Sequence, residues 1–449
     1  VCCVDDLPLG NAARYRSLRR MAIPVIHVLI ILVLFSGIAL AEPLPEHFAP
    51  ILKDADNALL APGRQITRDN VDDYGQWLDE TLVEIIRKGD YEITLGRLLD
   101  FPVHPRYVQA TSEFKGLTKI GDEPGELHGY QAGRPFPELS EDDPQAGTKA
   151  AWNMRYAFSP DETETVHFIW KYRDMAKEKL ERTLKMYGAI LRYKHRHSHD
   201  PIPEVSNNPS DLYTALYLRV NSPQDIRNTQ LLIHRAEDDT TPEQAWIYFN
   251  TQRRVKRIAT GQKTDAFLGS DIMIEDFLGY NGRIRDMNWK YLGSKEMLLP
   301  MYAHNELDLS EVTADKDGFQ DVPFTGKGNC FPDVTWQLRK VHVVEHFPVA
   351  SNHPLSKRHY LIDAATFNSG LGRIYDRAGK LWKLAIPAIS HSGFHTKENV
   401  EWKGAITDGV TMIDLQAQHC TTLHLKTRVA PKPLQNKSFT TAYLRQKGR

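Results

Sequence analysis

The stretch KHRHSHD carries His195, His197 and His199 at alternate positions. On a strand they share one face, and imidazoles suit zinc or copper. Same-face neighbours on a strand stand roughly 6.5–7 Å apart, however, so a single strand does not close three ligands around one ion. Pro201 also argues that any strand ends here. The stretch reads as a solvated basic loop. His342 and His346 stand at i, i+4, as do His391 and His395. That spacing serves a metal on a helix. VHVVEHF is β-branched and reads as a strand, and the Ser-Gly between His391 and His395 reads as a loop. TADKDGFQDVPF places Asp315, Asp317 and Gly318 at positions three, five and six of a calcium loop. Thr313 then falls at position one and Phe324 at position twelve, where a bidentate Glu is needed. No HExxH, GxSxG, Walker A or GxGxxG pattern occurs. The expectation is no catalytic residue, no metal and no cofactor.

The aromatic residues carry more information. Trp246, Tyr248, Phe249, Phe277, Tyr280, Trp289, Tyr291, Trp336 and Trp382 are interleaved through the second half of the chain. Most suit core packing. A curved sheet with helices on its concave side also leaves a hollow between its layers, and such cavities bind apolar ligands. Trp246, Tyr248, Phe249, Phe277, Trp289 and Tyr291 are the candidate lining. The stretch WIYFNTQRRVKRI reads as a hairpin with NTQ as its turn. Alternation sets Arg253, Val255 and Arg257 on one face of the return strand and Arg254, Lys256 and Ile258 on the other. Neither face is purely apolar, so this is an edge or rim strand whose cations discourage sheet-to-sheet aggregation. Arg253 and Arg257 are candidates to meet an anionic head group at the cavity mouth.

These side chains need elements to hold them. An amphipathic helix is expected at about 69–87, with Val71, Tyr74, Leu78, Leu82 and Ile85 on one face and Gly89 as its stop. Residues 95–150 read as long ordered loops with short strands. HFIWKY looks like a strand, whereas DMAKEKLERTLKMYGAIL has helical periodicity, so 173–190 stays open between helix and strand. From about 211, LYTALYLRV, NTQLLIHRA, QAWIYF, RRVKRI, VHVVEHF, RHYLIDAAT and LGRIYD are short, β-branched and aromatic, with turn residues between them. They predict an antiparallel sheet, with DFLGY and KEMLL as short interrupting helices.

The 449 residues are 41% hydrophobic and 25% charged, an ordinary globular balance. Arg14, Arg16, Arg19 and Arg20 precede an apolar run from Ile23 to Ala39, and Ala39 and Ala41 make an A-x-A site. A signal peptide cleaved after Ala41 is expected, with a transmembrane anchor as the alternative. Cleavage removes four basic and two acidic residues, leaving 52 and 55 and a net charge of −3. That balance excludes nucleic acid as a partner, since phosphate binding needs surplus positive charge. It also leaves Cys330 and Cys420, either as one disulfide or as two buried thiols.

Segments spread over nearly the whole mature length resemble the exported bacterial family of domain of unknown function 1329 (DUF1329). They include TRDNVDDY, IRKGDYEI, PRYVQAT and AGRPFPELSEDDPQAGTKAAWNMRY, the last with Pro135, Phe136, Pro137, Asp143, Pro144, Gly147, Trp152 and Asn153. AWIYFNTQRRVKRI, LGSDIMIEDFLGYNGRI, WKYLGSKEMLLP, VVEHF, KRHYLID, IYDRAGKLW and FTTAYLRQKGR follow in order. The later segments are similar to the wider LolA-like group of lipid carriers and lipoprotein-sorting proteins. The resemblance implies a mainly β (α+β) fold: a strongly curved antiparallel half-barrel with a few helices covering its concave side. It also implies a non-enzymatic, periplasmic protein that binds or ferries a hydrophobic small molecule or lipid. An inner-membrane exporter or outer-membrane protein is an expected partner. The alternatives are a hydrolase or other enzyme acting on lipophilic substrates, and a scaffold for an envelope export complex. Residues 42–449 are expected to form a single large domain, with a helix and loops over 42–160 and the β-rich portion over about 205–430.

Overall fold

Strand-forming alternation dominates the chain, and it wins even where local propensity opposes it. The computed structural model describes residues 57–208 and 210–448, all within one compact unit. The expected signal peptide, its expected cleavage site and most of the extended lead-in lie outside the described residues. The strands are β1 (Gln65–Ile66), β2 (Ile93–Leu95), β3 (Lys119–Ile120), β4 (Leu127–His128), β5 (Glu162–Asp174), β6 (Lys179–Arg192), β7 (Leu212–Ser222), β8 (Gln230–Ala236), β9 (Gln244–Phe249) and β10 (Arg254–Ile258). They continue with β11 (Met287–Leu299), β12 (Phe324–Thr325), β13 (Phe331–Pro332), β14 (Thr335–Pro348), β15 (Leu355–Asp363), β16 (Ser369–Asp376), β17 (Leu381–His391), β18 (Ala405–Asp414) and β19 (His419–Val429). The α-helices are α1 (Glu80–Arg87), α2 (Pro105–Glu113), α3 (Ala146–Arg155) and α4 (Thr441–Lys447).

Fifteen strands form one open, curved sheet in the order β1-β2-β14-β15-β16-β17-β18-β19-β5-β6-β7-β8-β9-β10, with β11 also on β14. Nearly all neighbours are antiparallel, and β2 on β14 is parallel. The last strand, β19, pairs with β5 along almost its whole length, so the two ends of the β-rich region meet in mid-sheet. β3–β4 and β12–β13 are separate two-stranded ribbons. Among the described residues, no helix is long and apolar enough to cross a membrane.

Residues 179–192 resolve to a strand. Their helix-favouring Lys, Leu, Glu and Met sit with Leu184 and Met186 buried on one face and Ala189 and Leu191 on the other. Pairing with β5 and β7 supplies both ladders, and burial on both faces overrides propensity. The helix expected over 69–87 is shorter. Val71–Tyr74 is a 3₁₀ turn, Gly75 follows it, and Asp79 starts α1 by accepting from the Thr81 amide at 2.9 Å. Gly89 follows the helix at φ +77°, as a left-handed stop should. The region read as loops holds α2, opened by Pro105 in its first turn, and α3. KEMLL is not a helix but the end of β11, paired with β14. In DFLGY a 3₁₀ turn ends at Asp276 and the rest is irregular.

The sheet is covered on both faces. Its outer face is packed at one end by α1 and the 3₁₀ turn before it, through Val71, Trp77, Leu82 and Ile86, in one cluster with Trp336, Leu338, Leu384, Ile386 and Ile413. At the other end α4 and Phe439 cover Ala189, Leu191, Ala215, Tyr217, Leu232 and Tyr248. A disulfide joins Cys330, just before β13, to Cys420 on β19, with Cα atoms 6.0 Å apart. The inner face is roofed by α3 and the segment 266–281.

Candidate ligand cavity

Between the inner face and this roof lies a cavity of about 430 Å³. Its floor follows from the period of two and the strand register. Ile190, Leu216 and Ile233 stand side by side across β6, β7 and β8. Trp170 faces Leu423, and Phe168 faces Leu425, across β5 and β19. Val410 and Met412 on β18 continue the wall to Pro387 and Ala385 on β17. The roof is Ala151, Met154 and Arg155 of α3, then Ile272, Phe277, Leu278 and Tyr280, with Trp289 beside them. Apolar atoms make up most of the lining, which suits a hydrophobic guest.

One end of the cavity carries three guanidinium groups. The register sets Arg192, Thr214 and Arg235 in a single row, and Arg155 reaches them from α3. Each guanidinium is held by fixed partners. Arg192 donates to Ser159 Oγ (3.1 Å) and lies 3.8 Å from Asp161. Arg155 bonds Asp239 (3.1 Å) and the Gly282 carbonyl (2.7 Å). Arg235 donates to Asn281 and Gly282 and pairs with Glu243. Burial moves the Arg235 guanidinium below its ordinary pKa and the Glu243 carboxyl above its own, against their mutual attraction. Arg155 and Arg192 are buried too, yet nearby carboxylate and tyrosine groups carry them above the usual guanidinium value.

The roof segment is tied down from below. Glu275 is fully buried and accepts from Arg358 (2.9 Å) and from His353 (3.1 Å), while Arg358 also donates to Asp276 (2.8 Å). Burial opposes a charged Glu275, but Arg358 outweighs it and holds the carboxyl well below its usual range. Beyond this clamp, Leu278 lies at φ +57° with three-quarters of its surface exposed, although it also touches the cavity. His346 sits under the roof among Tyr280, Trp289 and Tyr360, and burial holds it neutral.

Of the six aromatic residues expected to line a cavity, Phe277 and Trp289 do so. Trp246 and Tyr248 do not. Alternation on β9 turns them to the outer face, where Trp246 meets His234 and the Tyr248 hydroxyl donates to the Gly448 carbonyl (3.0 Å) under α4. Their neighbours Ala245 and Ile247 face inward instead. Phe249 ends β9 half-buried, away from the cavity, and Tyr291 bonds His342 Nδ1 (2.9 Å) outside it. Arg253 is in the hairpin turn at φ +48° and Arg257 is on β10, both exposed and neither at the lining. β10 is an edge strand, as its mixed faces predict. The triple-histidine stretch is dispersed: His195 bonds Glu237 (2.6 Å) and His197 lies 3.3 Å from Asp161. Asp315 and Asp317 both pair with Lys426.

The family described as Protein of unknown function (DUF1329) matches residues 65–445. The uncharacterized protein PA3922 of Pseudomonas aeruginosa is 25% identical over 409 residues, covering 85% of this chain and 81% of its own. Among solved structures, a Vibrio parahaemolyticus domain designated an outer membrane lipoprotein-sorting protein domain is similar at TM-score 0.46 and 17% identity, covering 68% of this chain and 100% of its own. A DUF1329 family protein from Desulfovibrio piger is similar at TM-score 0.45 and 12% identity, covering 67% and 98%.

Proposed function

This chain belongs to the DUF1329 family of proteins of unknown function, and we propose that it binds and ferries a hydrophobic, lipid-like molecule in the cell envelope. The observation that carries this reading is the apolar cavity of about 430 Å³ on the inner face of the curved sheet. Its size falls within the range of ligand pockets. The Arg192–Thr214–Arg235 row at one end suits an amphiphile, with its chain along Leu216, Phe168 and Leu425 and its polar head towards the guanidinium groups. Binding, not turnover, is the activity in this reading. The basic leader supports an envelope location, and an exporter or outer-membrane protein would be the delivery partner.

The test fills the hollow. Leu216→Trp and Ala385→Trp place indoles where the acyl chain would lie. Both should abolish uptake of a fluorescent fatty-acyl probe while the circular dichroism spectrum stays that of the wild type. Overpacking is expected to cost about 1–3 kcal/mol of stability. Unchanged probe affinity in both variants would refute the assignment of this cavity.

A further inference from the structure

We infer that His304, His395 and Asp408 form a binding site for one divalent transition-metal ion, zinc being the best match, on the face of the sheet opposite the lipid cavity. The three residues are distant in sequence. His304 opens a 3₁₀ turn after β11, His395 follows the turn Ser392–Phe394, and Asp408 projects outward from β18. One donor atom from each lies within 4.8 Å of the others. His395 Nε2 is 2.8 Å from one Asp408 oxygen, and His304 Nδ1 is 3.5 Å from the other. Ligands about 2.0–2.2 Å from a tetrahedral zinc ion stand roughly 3.3 Å from one another, a spacing that three donor atoms within 4.8 Å can reach by small side-chain rotations. Two imidazoles and a carboxylate are the donor set of zinc sites that keep an open fourth position.

Two further features point to an ion. His304 is buried, and its Nδ1 has no well-formed hydrogen bond although it faces the carboxylate. The cluster also opens to a polar pocket of about 320 Å³ lined by His304, His395, Asn305, Ser310, Gln320 and Thr396, which would admit water or an anionic group to the fourth position. The surroundings orient the ligands. Tyr302 donates to Asp408 Oδ2 (2.9 Å), and Asn399 Nδ2 donates to His395 Nδ1 (2.9 Å) and the Thr427 carbonyl (3.0 Å). In this arrangement the His395 proton is on Nε2, shared with Asp408. A metal ion at Nε2 would displace that proton. Asn399, anchored to the Thr427 carbonyl, fixes the orientation of the His395 ring.

The experiment uses tag-free protein, stripped with chelator, and zinc chloride as titrant in calorimetry. One equivalent should bind and raise the melting temperature. Cobalt should give the absorption bands of a low-symmetry, four- or five-coordinate ion. His304→Ala and His395→Ala should each weaken zinc binding at least tenfold, whereas Leu216→Trp should leave it unchanged. Asp408 is fully buried and accepts from Tyr302, so its replacement disturbs the fold as well as any ion, and the two histidine variants decide the matter. Folded protein that takes up no zinc, or histidine variants that bind it as well as the wild type, would overturn the assignment.

Discussion

The interior histidines, among them His197, His342, His346 and His424, should govern how this protein responds to acid. Burial is the main cause that lowers each: His342 to about 4, His197 and His424 to about 3, and His346 well below 6.5. Below pH 6.5 the unfolded chain binds protons at these positions while the folded chain does not, so stability falls as pH drops from 6.5 towards 3. His419 acts in the opposite sense. Its hydrogen bond to Asp271 raises it to about 9, so its contribution is complete below 6.5 and is lost as pH rises through 9. Denaturant midpoints across pH 4–10 should therefore peak near pH 6.5, and His419→Gln should flatten the alkaline limb. A flat profile between pH 4 and 6.5 would contradict the neutral histidines. At this scale the sequence was a partial guide. Residue type marked Phe277 and Trp289, but the parity that turns Trp246 and Tyr248 outward is set by strand register, which no local pattern states. His304, His395 and Asp408 are legible only after folding brings three separate segments together.

At the scale of elements, the roof and the disulfide are the two ties whose loss should be measurable. Arg358 on β15 clamps Glu275 and Asp276 to the sheet, and all three side chains are buried. Arg358→Ala removes the main cation facing buried Glu275 and Asp276, leaving Glu275 only His353 and Lys263, at a cost of up to about 3–5 kcal/mol. It should also loosen the 274–281 segment, seen as faster amide exchange there than in β17 and β18. Equal protection in variant and wild type would show that the clamp does not hold the roof. The Cys330–Cys420 bridge closes a loop spanning 90 positions, so replacing both cysteines by serine should lower stability by about 2–5 kcal/mol, read from urea unfolding. The strands from 211 onward were legible because β-branched and aromatic residues alternate between turn signals. Residues 179–192 stayed ambiguous because their composition favours a helix and only cross-strand burial decides. Helices α2 and α3 were hidden in a stretch rich in Pro, Gly and acids, where nine or ten residues give too few turns for a clear period.

For the whole molecule, one architecture explains both the covered and the hollow parts of the sheet. The N-terminal segment and α4 fill the outer face with side chains, while α3 and the 266–281 segment stand off the inner face and leave space. Edge strand β10 carries exposed Arg254, Lys256 and Arg257, which blunt pairing with a second sheet. The curved antiparallel sheet was legible as a class from strand spacing and from the family resemblance. The cavity's lining was not, because it depends on the register of ten strands at once. The central claim, that the hollow is a lipid site, is tested most directly by native mass spectrometry of the mature protein purified from its own envelope fraction. The account predicts a bound hydrophobic molecule near one per chain, absent from Leu216→Trp. Wild-type protein that is folded, ligand-free and unable to take up any acyl probe would contradict it.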